Sequence, residues 1–167
     1  HNVGGLPEEM GLDVYEPLAN LYKDEVREVA ETIGLGGEVI HRHVFPGPGL
    51  AIRIVGEVTS QKVEIVRTAS HIIEEELKKE NLYRDVWMSF AVLLSIRSVG
   101  IHGDARSYKY PVVIRIIKSK DAMTANFARI PYDILERMST KITNQIDSVN
   151  RVVYDISNKP PATMEWE

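Results

Sequence analysis

The residues best suited to ligand chemistry stand near the C-terminal end: Arg151, Lys159 and Glu165, in a segment that also holds Pro160, Pro161 and Trp166. A lysine ammonium is a point charge that suits a phosphate, and a glutamate carboxylate accepts hydrogen bonds from N–H or hydroxyl groups. Arg151, on the strand that feeds the tail, would add a forked donor at the same end. A terminus is normally frayed. Two prolines stiffen this one, which lowers the entropy lost if it must dock. A tail that only packs Trp166 on its own domain accounts for the same residues, and Arg151 reads equally well as an ordinary surface residue.

Other searches for chemistry come back thin. There is no Gly-x-x-x-x-Gly-Lys-Ser/Thr phosphate loop and no Gly-x-Ser-x-Gly nucleophile elbow. His41 and His43 form an i, i+2 pair beside a proline turn, which reads as structural or merely exposed, and no metal site is expected. Glu74-Glu75-Glu76 reads as the solvated face of a helix. With no cysteine, disulfides, thiolate ligands and thiol nucleophiles are excluded. The formal charge of −4 disfavours a general nucleic-acid binder, and no apolar run approaches the roughly 20 residues that span a bilayer. The first residues lack the basic and apolar regions of a secretory signal, so a cytoplasmic protein is expected.

The elements that must position the tail follow from periodicity and punctuation. A strand end is expected at 14–17, then a helix over 18–33 closed by Gly34, Gly36 and Gly37. His43-Val44-Phe45-Pro46-Gly47-Pro48-Gly49 is an irregular turn, with a domain boundary just before it at 38–42. A strand over 50–58 leads to a helix capped by Thr59 or Ser60 and running to about Lys79, with Val63, Val66, Ile73 and Leu77 as its buried stripe. A second helix is expected over 84–94. Strands over 98–102 and 110–118 flank the turn Gly103-Asp104-Ala105-Arg106. A short helix over 121–129 is followed by another with Pro131 at its first position, reaching Ile146. The last strand covers 149–156 and leads to an extended tail. This order predicts an α+β fold, with a small mixed or antiparallel sheet and helices packed on one face.

Four stretches carry a resemblance to a known family. They are His1-Asn2-Val3-Gly4-Gly5-Leu6-Pro7, the 43–50 turn, Gly103-Asp104-Ala105-Arg106-Ser107-Tyr108, and 150–156 running into Lys159-Pro160-Pro161-Ala162-Thr163-Met164-Glu165-Trp166-Glu167. Together they resemble the C-terminal part of the GMP synthetase family, whose turn carries a proline where this chain has Val44. The resemblance implies that 1–42 is the helical end of an α/β ATP pyrophosphatase domain and that 43–167 is the dimerisation domain, which binds xanthosine monophosphate (XMP).

It also implies the chemistry of the parent enzyme. ATP and Mg²⁺ adenylate the C2 oxygen of XMP, and ammonia from a glutaminase domain or subunit then displaces AMP to give GMP. By motif position, Arg151, Lys159, Met164 and Glu165 would contact the nucleotide, the first two at its 5′-phosphate and Glu165 at the purine or ribose edge. His1 and Asn2 would belong to a lid over the ATP site. The family's Ser-Gly-Gly-Val-Asp-Ser loop for the ATP phosphates does not occur in this sequence. No catalytic residue is therefore expected here, nor ATP binding or turnover by the chain alone. Met88 stands where related sequences carry glutamine, and Met164 where isoleucine is usual. The implied partners are a second copy of the chain, XMP and the glutaminase. The other reading is a purely structural dimerisation module with no ligand affinity of its own, and an RNA-binding α+β domain is a remote third.

Overall fold

The computed structural model describes Gly11, residues 13–120 and residues 122–167. The chain divides into two compact units, His1–Arg42 and His43–Glu167.

The first unit contains α1 (Lys23–Thr32) and α2 (Gly37–Ile40). The expected strand end at 14–17 is absent, and the helix starts five residues later than 18 (23 − 18 = 5). The reason is local. The Tyr22 backbone N–H donates to Glu25 Oε2 at 2.7 Å, so a carboxylate three residues inside the helix fixes its first turn. Gly34 closes α1 at φ +80°, where Leu35 N–H reaches the Ala30 carbonyl at 3.0 Å. Gly36 and Gly37 do not extend that cap but open α2, a short helix the sequence did not suggest.

The second unit is a six-stranded mixed sheet. Strand β1 (Ile54–Val55) pairs parallel with β2 (Met88–Leu94), which pairs antiparallel with the long β4 (Ala105–Lys118). Also on β4 are β3 (Ser98–His102) and β5 (Asn126–Phe127), both antiparallel, and β6 (Val149–Tyr154), parallel. The helices α3 (Ser60–Lys79) and α4 (Tyr132–Gln145) supply Val66, Ile73, Met138 and Ile142 to a core against Ala91, Leu93, Val112 and Ile114. The fold is α+β, as expected. Thr59 caps α3 by accepting from Lys62 N–H at 3.3 Å. Among the described residues no helix is long and apolar enough to cross a membrane.

Several expected elements differ, each for a physical reason. Residues 50–53 are not strand: Gly49–Arg53 is a 3₁₀ turn, entered through Gly49 at φ +75° with its N–H on the Pro46 carbonyl at 3.0 Å. Only Ile54–Val55 pair. The expected helix over 84–94 is a short 3₁₀ turn (Tyr83–Asp85) followed by β2. Both faces of β2 are covered, Ala91 and Leu93 by the helices, Phe90 and Val92 by the other side. Its sequence therefore shows a continuous apolar run rather than alternation.

Beyond Asp121, the described part of the expected 121–129 helix is turn plus β5. There the Ser119 hydroxyl donates to the Thr124 carbonyl and accepts from Ala122 N–H, competing with helical bonds. Pro131 is the N-cap of α4 (ψ 139°) rather than its first helical residue. The β3–β4 turn is only Gly103-Asp104, so β4 begins earlier than expected, and β6 ends at Tyr154.

Candidate functional site

The strand register of β4 sends Val112, Ile114 and Ile116 toward the helices and Val113, Arg115 and Ile117 to the opposite face. Arg115 is thus a charge in the middle of an apolar sheet, and it is 0 % exposed. A buried guanidinium has to be met by acceptors. The chain's own tail supplies them. Arg115 Nη1 donates to the Ser157 carbonyl at 2.6 Å, Nη2 to Thr163 at 2.8 Å and Nε to Met164 at 3.3 Å. Asp155 Oδ2 lies 3.1 Å from Nη1 and also accepts from Trp166 Nε1 at 3.0 Å.

The expected extended tail is therefore a loop folded back on the sheet. Its start is pinned by a two-bond bridge, Lys159 N–H to the Ala125 carbonyl (2.8 Å) and the reverse (3.0 Å). Further on, Met164 packs with Met88, Phe90 and Val92. Met88, at the position where the resemblance expects glutamine, is buried in this cluster and supports the tail by packing.

Glu165 meets a second buried arginine. Arg53 Nε and Nη2 donate to its two oxygens at 3.2 and 3.0 Å, a forked pair. The Arg53 guanidinium carbon lies 4.2 Å from the Phe90 ring centroid and 5.2 Å from that of Phe45. Phe45 comes from the Pro-Gly turn, so that turn delivers a ring to one face of Arg53. His43, in the same turn, stacks on Tyr83 at 3.8 Å and bonds to the Tyr83 carbonyl through Nε2 at 2.8 Å. His41 lies instead 3.8 Å from Glu31. Among the described residues no group of three His, Asp or Glu could hold a metal ion.

The remaining expected site residues divide. Lys159 is half-buried, and its Nζ donates to the Ala122 carbonyl at 2.9 Å. One of its three donors is thereby used. Arg151 is not at the same end as Lys159. It pairs with Pro111 on β4, and its Nε donates to Ser98 Oγ at 2.7 Å. Lys159 bridges Ala125, one residue before the Asn126 that pairs with Lys118. Those levels are seven residue steps apart along β4 (118 − 111 = 7), about 24 Å at ~3.4 Å per step. His1 and Asn2 lie outside the described residues.

The sequence reading missed both Arg53 and Arg115. The signal for Arg115 was present, since one charge inside a β-branched run must find partners or not be buried. Arg53 had no such signal, because the strand expected over 50–58 placed it on a face with Ala51 and Val55, where one charge is ordinary.

The second unit is thus a mixed sheet with two helices on one face and the chain's own tail held by two buried arginines. Residues 75–166 match the family model described as GMP synthase C terminal domain. The chain belongs to that family. It is 58% identical over all its 167 residues to the GMP synthase (glutamine-hydrolyzing) of Halothermothrix orenii, covering 33% of that protein. The protein of the same name from Synechocystis is also 58% identical, and that from Gloeothece citriformis 56%, with 31% of each covered. The chain thus spans about a third of the length of these curated relatives.

Proposed function

We propose that this chain is the XMP-binding, dimer-forming C-terminal part of a GMP synthase. Residues 1–42 would be the end of its ATP pyrophosphatase domain and 43–167 its dimerisation domain. In such an enzyme XMP is adenylated by ATP with Mg²⁺ and then aminated with ammonia that a glutaminase releases from glutamine. The described residues do not fit ATP phosphates or Mg²⁺. The sequence has no Ser-Gly-Gly-Val-Asp-Ser loop to offer a row of backbone N–H groups to a triphosphate, and among the described residues no group of three His, Asp or Glu could hold a metal ion. Adenylation is therefore assigned to protein outside this chain.

The observation that carries the reading is the docked tail, which holds Lys159, Met164 and Glu165 in one bonded loop. Lys159 keeps two ammonium donors for a 5′-phosphate. The Glu165 carboxylate, with about four lone-pair positions, has given two to Arg53 and keeps the others for N–H or hydroxyl groups of the nucleotide. Met164 contributes an apolar contact. Arg151, a strand's length from Lys159, reaches the same nucleotide only if a second copy brings it there, which the proposed homodimer would allow. Exposed Val99, Ile101, Tyr108 and Val153 near the β3–β4 hairpin and β6 give that dimer apolar surface to bury.

Calorimetric titration of XMP into the 167-residue chain tests the assignment. Binding is expected for the wild type, weakened roughly tenfold or more in Lys159→Ala, the loss typical of a charge-assisted contact. No binding heat in either protein would favour the purely structural dimerisation module, and equal affinity in both would remove Lys159 from the site.

A further inference from the structure

The 43–49 turn and Arg53 have no part in the nucleotide contacts assigned above, yet they converge on one of the assigned residues. Arg53 is 4 % exposed, and two of its five N–H donors, one on Nε and one on Nη2, are spent on the two oxygens of Glu165. Its guanidinium carbon lies over the Phe90 ring at 4.2 Å and over the Phe45 ring at 5.2 Å. A buried guanidinium packed on two rings and forked onto a carboxylate has little room to swing, so it restrains that carboxylate in plane and direction. Arg53 itself is held from behind by the turn, whose His43 is bonded to Ser89 Oγ at 3.3 Å as well as to Tyr83.

We infer that Arg53 is a positioning residue for nucleotide recognition: it aims the Glu165 carboxylate, and the Pro-Gly turn fixes Arg53 through Phe45. The inference rests on the reading of Glu165 as a nucleotide contact. Its chemical content is the fork. Lysine at position 53 would restore the charge but supply a single point of contact, leaving the carboxylate free to rotate. A glutamate that can rotate must be ordered again by each ligand, and that lost freedom is taken from the binding free energy.

The test is XMP titration into the 167-residue chain as wild type, Arg53→Lys, Glu165→Gln and the double variant, with Lys159→Ala as the comparison partner. Arg53→Lys is expected to remain folded, with a thermal midpoint within a few degrees of wild type, and to bind XMP roughly tenfold to a hundredfold more weakly. The double variant Arg53→Lys/Glu165→Gln should bind no worse than Glu165→Gln alone, because both changes remove the same oriented carboxylate. Arg53→Lys combined with Lys159→Ala should instead lose the product of the two single effects, a pattern that general damage to the domain would not give.

Wild-type affinity in Arg53→Lys, or multiplied losses in the Arg53–Glu165 pair, would overturn the inference while leaving the nucleotide site in place. Absence of XMP binding by the wild-type chain would overturn both.

Discussion

Arg115→Met is expected to detach the tail and destabilise the second unit by about 3–5 kcal/mol, the range for removing one partner of a buried ion pair. The reason is the number of groups that depend on this one guanidinium. Three tail carbonyls, of Ser157, Thr163 and Met164, take donors from it, and Asp155 is its buried counter-ion. Methionine fills the space but offers no donor, so the carbonyls must either stay unpaired on an apolar sheet or leave it for water. They will leave. Trp166, bonded to Asp155, goes with them, so its fluorescence should shift to the red at denaturant concentrations where the sheet is still intact. Chemical denaturation followed by fluorescence in a Trp87→Phe background, where Trp166 is the one tryptophan left, checks both parts. A variant within about 1 kcal/mol of wild type, still showing one coincident transition, would contradict the clamp.

The second large effect concerns the other face. Glu76, expected from the sequence to be solvent-facing, is 2 % exposed and joins α3 to α4. Lys141 Nζ lies 2.5 Å, Arg137 Nε 3.1 Å and Lys79 Nζ 3.2 Å from its oxygens. The hydrogen bond from Lys141, reinforced by those from Arg137 and Lys79 against the opposing effect of burial, lowers its pKa from 4.5 to about 2. A carboxyl depressed on folding binds its proton less readily in the native state than in the unfolded chain. Its stabilisation is therefore complete above about pH 4.5, declines as pH falls below that, and is gone below about pH 2.

Glu76→Gln removes the charge but keeps the shape. The cost expected at pH 7 is about 2 kcal/mol, less than for a fully buried pair because the cations are half-exposed and screened by water. Urea unfolding of wild type and variant at pH 7 and pH 2.5 measures it. The gap between the two proteins should narrow at the lower pH, and a gap independent of pH would remove Glu76 from this role.

The contrast between Glu76 and its neighbours shows where sequence reading stops. Glu74, Glu75 and Glu76 look alike as a charge run, and the first two do face water, with Lys78 within 4 Å of each. Glu76 differs only because α4 crosses at that point and brings Arg137 and Lys141, 61 and 65 residues away in sequence. No local pattern encodes that meeting. The same limit explains β2, where burial on both faces erases the alternation that marks a strand, and Arg53, whose partner Glu165 is 112 residues distant.

What local chemistry does encode was legible. Thr59 at the start of α3, the β3–β4 turn around Gly103 and the α+β order of elements all rest on residues acting within a few positions of themselves. The tail stood out because two prolines and a tryptophan are costly in a segment with nothing to dock on. Its partner, Arg115, was visible as the one charge in a β-branched run, but only the fold shows that the two belong together.

Amide hydrogen exchange across the tail, with and without XMP, tests the central claim most directly. If the tail is a preformed nucleotide platform, Lys159 and Ala162, whose N–H groups are bonded to the Ala125 and Asn158 carbonyls, should exchange well below free-peptide rates without ligand. They should slow further when XMP is added. Tail amides exchanging at free-peptide rates in the absence of ligand, or unaltered by saturating XMP, would contradict the account.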